Sequence, residues 1–328
     1  MGSSKALSTD KLTKDYAVGF WRKRPYRALD SLTLEVERGE VFGFLGPNGA
    51  GKTTTLKLLM RLVFPTSGSA DLLDRPIGDV STKQRIGYLA ENPYFYDHLT
   101  AEELLDYFAG LFGLPAAERR ARASRLLDQV GIGSERRLQL RKFSKGMLQR
   151  VGIAQALIND PELVIFDEPM SGLDPLGRRD VRALILSLRD KGVTVFFSSH
   201  VLSDAEALCS RVAILAKGRL VTAGRLSDML AFQIQGWELV ASHVSEELAR
   251  SLEKRARKIV KLGEGRYSID LPIDPGPDQL IAELSDRGAQ LVSVNPIRET
   301  LEDFFVREVT SPDVSRRDRG LGAAGDAA

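Results

Sequence analysis

The chain has 328 residues, 43% of them hydrophobic and 27% charged, with 46 basic side chains against 44 acidic ones. A net charge of +2 removes the global pull toward nucleic acid that a strongly basic chain has, and the length predicts two domains rather than one. One cysteine, Cys209, excludes an intrachain disulfide and a thiolate metal cluster, and three scattered histidines (His98, His200 and His243) argue against a structural zinc site.

In chain order, the opening "MGSSKALSTDKLTK" lacks the apolar core of a signal peptide, and Ala6 stands where a myristoylation motif wants Ser or Thr. No apolar run approaches the roughly 20 residues needed to cross a bilayer. The expectation is a cytoplasmic, soluble chain that would work at a membrane only through a partner.

Residues 29–46 predict strands: alternation around Leu32, Leu34 and Val36, then a dense apolar run from Val41 to Leu45. A Gly-rich turn and a helix follow in "PNGAGKTTTLKLLMRLV", closed by turn residues from Pro65 to Gly68. "RIGYLAE" predicts a short strand. From Thr100 the pattern becomes helical and charged, beginning with a capping box from Thr100 to Glu103. "LRKFSKGMLQRVGIAQAL" then offers Ser144 as a helix cap and Gly146 as a point of close backbone approach. Such a helix start suits an anion, yet the stretch holds no acid or base to act on one.

"ELVIFDEP" predicts a buried strand from Leu163 to Phe166 with acids at its end. A helix, the buried strand of "VTVFFSSH", another helix and another strand follow. Alternating strands and helices imply an α/β domain with a mostly parallel sheet, interrupted by a helical insert at about 92–150. Past Phe232 the order becomes strand, helix, strand, strand, helix, strand, which suits a small split βαβ domain, with "RETLEDFFVREV" as a closing helix. The last 18 residues are small, polar and aperiodic and are expected to be disordered. The predicted division is therefore 7–232, 233–310 and a tail at 311–328.

The chemistry concentrates in the first domain. "GPNGAGKT" fits the full G-x-x-x-x-G-K-[ST] pattern, follows a buried strand and opens a helix. Backbone N–H groups of Gly46, Pro47, Asn48, Gly49, Ala50 and Gly51, apart from the proline, can curl around phosphate oxygens. Lys52 can reach the β- and γ-phosphates, the Thr53 hydroxyl can ligate Mg²⁺, and Thr54 can add a phosphate contact. The alternative, a Gly-rich turn that happens to carry a lysine, does not account for the complete pattern in this context. Asp167 and Glu168 emerge at a strand end, where Asp167 would hold Mg²⁺ through water and Glu168 would orient an attacking water as general base. His200 ends the next buried strand on the same sheet edge, placed to hydrogen-bond a γ-phosphate. His98 and His243 have no such context and read as structural or surface residues.

"GPNGAGKT", "FSKGM", "LVIFDEP", "SGLD" and "SSH", in this order, resemble the nucleotide-binding domain of an ATP-binding cassette (ABC) protein, over about residues 7–230. The resemblance implies a P-loop NTPase (RecA-like) core with a helical insert, plus an appended small α+β domain, using ATP and Mg²⁺. It places Ser144 and Gly146 at phosphate contacts made to a second copy of the chain, or to a paralogous cassette, in a head-to-tail ATP sandwich. It places Asp174 in the loop that couples the two sites, Glu91 where the family usually has a glutamine near the metal, and Tyr16 where an aromatic stacks on adenine. Trp21 and Tyr26 are rivals for that last role. Phe143, Lys145 and Met147 depart from the family's commonest signature. The spellings "YLAENPYFYDHLT", "SKGMLQR" and "DEPMSGLDP" resemble the exporter branch, whose membrane permease is a separate chain.

Two other functions fit the sequence less well. Cassette ATPases of translation or DNA repair carry paired cassettes, coiled coils or zinc modules, none of which this sequence has, so no nucleic-acid partner is expected. A regulator that uses ATP only as a structural ligand would not need Lys52, Asp167, Glu168 and His200 together. Of the remaining segments, "GFWRKRPYR" reads as a solvated loop and "ERRARASR" as the charged face of a helix. Tyr94, Phe95 and Tyr96 are expected to divide between core and a permease interface.

Overall fold

The computed structural model describes residues 5–19, 24–229, 234–274, 276–298 and 301–310. Trp21, much of the "GFWRKRPYR" segment and the tail at 311–328 lie outside the described residues. The chain divides into two compact units, one within Met1–Leu226 and one within Ser227–Pro312.

The first unit opens with three strands, β1 (Lys5–Val18), β2 (Arg24–Glu37) and β3 (Val41–Leu45), and the helix α1 (Lys52–Leu59). β4 (Ser67–Leu72), β5 (Arg75–Pro76), α2 (Val80–Lys83) and β6 (Ile86–Leu89) follow. Next come three helices, α3 (Ala101–Leu111), α4 (Ala116–Gln129) and α5 (Lys145–Ala156). The unit closes with β7 (Leu163–Asp167), α6 (Pro175–Asp190), β8 (Thr194–Ser199), α7 (Leu202–Leu208), β9 (Arg211–Ala216) and β10 (Arg219–Arg225).

Two sheets share one core. The larger runs β10-β9-β3-β8-β7-β6, with β9, β3, β8, β7 and β6 all parallel and β10 antiparallel on the edge. The smaller, β2-β1-β4-β5, is antiparallel. Leu12, Leu32 and Leu34 from the smaller sheet, Leu56 and Leu59 from α1, and Phe42, Phe44 and Phe196 from the larger sheet belong to one buried cluster. Phe196 stacks on Phe42 with centroids 5.9 Å apart and tilts onto Phe44 at 5.4 Å. Strands β3, β7 and β8 are buried throughout, which accounts for their continuous apolar runs.

Of the strands that the sequence pattern did not announce, β1, β4, β5 and β10, the longest is β1. Its pairing with β2 shifts register near Thr9, Leu12 and Lys14, and these bulges break the alternation of period two by which a strand is recognised. The capping box of α3 is present: Thr100 Oγ1 accepts from the Glu103 N–H at 3.2 Å, and Glu103 Oε2 accepts from the Thr100 N–H at 2.8 Å.

The second unit begins in α8 (Leu226–Met229) and contains β11 (Ile234–Ser242), α9 (Glu246–Leu252), β12 (Lys258–Gly263), β13 (Arg266–Pro272), α10 (Pro277–Asp286), β14 (Gln290–Arg298) and α11 (Leu301–Thr310). Its sheet is antiparallel in the order β12-β13-β11-β14, so each βαβ unit has a third strand between its two parallel members. That is the split βαβ arrangement the order of elements predicts. Leu239, Ile269 and Leu271 of the sheet pack against Leu248 and Leu252 of α9 and Leu280 and Leu284 of α10.

Candidate functional site

The strand order decides which side chains meet. β8 lies between β3 and β7 in a parallel sheet, so the carboxyl ends of all three finish on one edge. The loop after β3 starts there, and the Gly46 N–H donates to the Ser199 carbonyl of β8 at 3.3 Å. Two glycines of this loop have no room for a side chain. A Cβ on Gly46 would lie 2.3 Å from the Leu215 carbonyl oxygen, and one on Gly51, at φ 105°, would lie 2.5 Å from that of Ala28. The chain turns from Gly51 directly into α1, whose first residue is Lys52.

Lys52 is buried, and its ammonium donates to the Gly46 carbonyl at 2.7 Å and the Pro47 carbonyl at 3.3 Å. Glu168 Oε1 stands 3.4 Å from the same nitrogen. A buried ammonium needs a counter-charge, and Glu168 supplies it.

Asp167 is 1% exposed and ends β7 opposite Ser198 of β8. The Ser198 hydroxyl donates to Asp167 Oδ1 at 2.6 Å and accepts the Glu168 N–H at 3.0 Å, so one serine orients both acids. Asp167 Oδ2 is buried and has no hydrogen-bond partner among the described residues. Burial pushes the Asp167 pKa up; the hydroxyls of Ser198 and Thr53 pull it back, and the carboxylates of Glu91 and Glu168 raise it further. An orphaned buried carboxylate oxygen amid other acids is an unmet demand for a cation. Among the described residues no three His, Cys, Asp or Glu side chains gather as a metal cage. Mg²⁺ does not require one, since it binds through one or two protein oxygens together with substrate phosphates and water. Asp167, Thr53 and the nearby Glu91 therefore fit the ion.

Glu168 takes φ 51°, a left-handed conformation costly for a residue with a Cβ. Its carbonyl accepts from the Ser171 N–H at 3.0 Å and from Gln149 Nε2 at 3.2 Å. Its second carboxylate oxygen, Oε2, lies 2.9 Å from His200 Nδ1. The histidine expected at a phosphate thus meets the acid from the neighbouring strand, with its side chain 48% exposed.

A cleft of about 470 Å³ opens over the loop and is lined by Lys52, Thr53, Thr54, Glu91, Glu168 and two tyrosines, Tyr16 and Tyr26, among others. The tyrosines are direct cross-strand partners of β1 and β2, so the two rivals for a base-stacking role stand side by side. Lys14 Nζ sits 5.0 Å from the Tyr16 ring centroid. Gly46 and His200 reach the cleft through Lys52 and Glu168.

Ser144, Gly146 and Asp174 do not line that cleft. Ser144 caps α5, accepting from the Met147 N–H at 3.3 Å, and Asp174 caps α6, accepting from the Gly177 N–H at 2.9 Å. The starts of these two helices are packed together. A Cβ on Gly172, at φ 73°, would lie 3.0 Å from Lys145 Cδ, and one on Gly146 would lie 3.3 Å from Leu173 Cδ2. Lys145, which the sequence left unexplained, lays its stem over the loop at Ser171 to Asp174.

In the helical insert, none of the three expected aromatics is core. Tyr94 is 97% exposed and Tyr96 is 57% exposed, while half-buried Phe95 packs near Gly152. Tyr96 meets Tyr107 edge-on at 6.4 Å, beside a groove of about 580 Å³ that Glu102, Asp106 and Leu111 help to line.

Sequence reasoning missed Ser198 and Gln149. Ser198 lies within "SSH", but its role depends on the pairing of β7 with β8. Gln149 is a polar residue on the buried side of α5, and that mismatch with its surroundings was the available signal.

Residues 29–171 match the family described as ABC transporter. An uncharacterized ABC transporter ATP-binding protein of Synechocystis sp. is 45% identical over 96% of this chain and 86% of its own. The bacitracin transport ATP-binding protein BcrA of Bacillus licheniformis is 40% identical over 93% of this chain and 97% of its own. Among solved structures, a dimeric post-hydrolysis state of the ATP-binding cassette MJ0796 bound to ADP and Pi is similar with a TM-score of 0.62. It is 26% identical, covering 67% of this chain and 98% of that one.

Proposed function

The chain belongs to the ABC transporter ATP-binding proteins, and from that premise we propose how its own residues carry out ATP hydrolysis and what they drive. The observation that carries the proposal is the convergence of Lys52, Asp167, Glu168 and His200 at one sheet edge, with Lys52 and Glu168 lining an open cleft.

Before nucleotide arrives, Glu168 neutralises Lys52. The β- and γ-phosphates then take over as partners of the ammonium, with the loop N–H groups around them. Glu168 is thereby released to accept a proton from the attacking water, giving ADP and phosphate. His200 keeps Nδ1 on Glu168 and turns Nε2 toward the γ-phosphate. Thr53 and Asp167, with Glu91 nearby, would hold Mg²⁺, which would supply charge neutralisation at the phosphates. Tyr16 and Tyr26 offer the apolar platform on which an adenine ring stacks.

Ser144, Gly146 and Asp174 do not line their own chain's cleft, and at the family's signature and coupling-loop positions they suit contacts made to the nucleotide of a second copy in a head-to-tail dimer. The cassette would comprise residues 7–232, with 233–310 as an accessory domain. No helix among the described residues is long and apolar enough to cross a membrane. As membership of this family implies, the work would reach a bilayer through a separately encoded permease, docked at the aromatics of the helical insert, with export as the direction. Two relatives named for bacitracin and multidrug transport support this branch. Glu168→Gln tests the core of the proposal. ATP affinity should stay within about twofold while turnover falls by at least a hundredfold, in the ~10²–10⁴ range of a lost general base. A variant that hydrolyses at the wild-type rate would sink the assignment.

A further inference from the structure

Glu168 must hold a left-handed backbone while its side chain trades partners between Lys52, His200 and water. Such a conformation persists only where the surroundings over-determine it. Three hydrogen bonds do so here. The Glu168 N–H donates to Ser198 Oγ of β8 at 3.0 Å, the Ser171 N–H donates to its carbonyl at 3.0 Å, and Gln149 Nε2 donates to the same carbonyl at 3.2 Å. Two of these come from the sheet edge and the following turn. The third comes from α5, whose cap is Ser144.

Gln149 is 1% exposed on a helix that otherwise buries Val151, Ile153 and Ala154, and it gains nothing from solvent. A buried amide on an apolar face is a cost unless it is hydrogen-bonded. Its bond to the Glu168 carbonyl answers that cost and spans the interval between α5 and the end of β7.

We propose that Gln149 is a positioning residue for the general base: its amide locks the Glu168 peptide so that the carboxylate stays aimed at the cleft, and it ties that peptide to the helix begun by Ser144. A shift of α5 would then be felt at Glu168 of the same chain through one side chain. The proposal rests on Glu168 being the general base.

The test uses the full chain with Mg²⁺ and ATP and four variants, one of them Glu168→Gln alone. Gln149→Met fills a similar volume without a donor, Gln149→His keeps an N–H donor, and Gln149→Met is also combined with Glu168→Gln. Steady-state rates are read for the single variants, single-turnover rates for the Glu168→Gln pair, and thermal unfolding reports whether each folds. Gln149→Met should lower kcat about tenfold, the size of one lost hydrogen bond, and move KM for ATP by less than about twofold. Gln149→His should recover most of that loss. In the Glu168→Gln background Gln149→Met should cost nothing further, because a positioning residue acts only through the group it positions. Wild-type kcat in Gln149→Met, equal losses in the Met and His variants, or an additive loss on top of Glu168→Gln would each overturn the proposal. Full turnover by Glu168→Gln itself would remove the general base, and this inference with it.

Discussion

The two units of this chain are both layered sheets with helices, yet they treat buried polarity differently. In the first, Lys52, Asp167, Glu168, Ser198 and Ser199 are buried together where parallel strands end. In the second, Ser268 is the buried polar side chain among the described residues, and its hydroxyl donates to Glu238 Oε1 at 3.1 Å. Crossover helices return each strand in the same direction, so a parallel sheet collects its carboxyl ends, and the side chains on them, at one edge. An antiparallel sheet distributes its ends to both sides. The first unit also carries four orphaned buried atoms, Thr9 Oγ1, Arg38 Nε, Thr82 Oγ1 and Asp167 Oδ2, whereas the second unit has none among the described residues. Of these, Asp167 Oδ2 is the carboxylate oxygen that lies among other acids at the strand ends, which marks the place where ligand binding is to be recovered.

Substitutions in each unit test this contrast. Asp167→Asn should have the largest effect on chemistry, reducing Mg²⁺-dependent ATP turnover by at least about a hundredfold, since it removes the charge that holds the ion. The same change should stabilise the nucleotide-free fold by roughly 2–4 °C in thermal unfolding in EDTA at pH 7, as expected when a costly functional charge is removed. The sign follows from the raised Asp167 pKa. A group raised in the fold contributes its stability when protonated and loses it as pH rises through that pKa. The gain in Asp167→Asn should therefore shrink as pH is lowered and the wild-type carboxyl takes up its proton. A gain that grows on acidification would contradict the electrostatic reading.

Phe196→Ala should show the opposite pattern, a large structural cost with no chemical role. Opening a void between Phe42 and Phe44 should destabilise the first unit by about 3–5 kcal/mol in denaturant unfolding. At temperatures where the variant remains folded, KM for ATP should be near the wild-type value. Tyr16→Ala should be milder, raising KM for ATP about fivefold by removing about 1 kcal/mol of base stacking while leaving kcat nearly unchanged. A larger rise in Tyr26→Ala than in Tyr16→Ala would move the adenine to the other ring of the cross-strand pair. Smallest of all, Asn295→Ala in the second unit should change stability by less than about 0.5 kcal/mol and leave ATPase activity unaltered. A marked loss of turnover there would end the division of labour between the units.

How much of this was legible beforehand follows from the range of each interaction. The phosphate loop, the acids of β7 and the cap at Ser144 are local patterns, spelled within a few residues of one another. The six-element order of the second unit was equally readable, because its strands are short and flanked by turn residues. Ser198 could not be assigned, since its two bonds require knowing that β8 lies between β3 and β7. Gln149 required the approach of α5 to the end of β7, a contact across 19 positions. β1 was hidden by its own bulges. Tyr94 and Tyr96 were expected to be shared between core and surface, because apolar content cannot distinguish a buried aromatic from one held out for a partner. Lys145 became intelligible only when Gly172 was found beneath its stem.

In the proposed dimer two copies complete each other's sites, with Ser144 reaching a nucleotide that its own chain does not hold. The mass of the Glu168→Gln chain in solution by light scattering, with ATP and without, beside the same chain carrying Ser144→Arg, decides this. The expected result is a monomer that becomes a stable dimer on adding ATP, and a Ser144→Arg chain that binds ATP with near-normal affinity yet stays monomeric. A Ser144→Arg chain that loses ATP binding as a monomer, or that still dimerises, would place Ser144 elsewhere and contradict it.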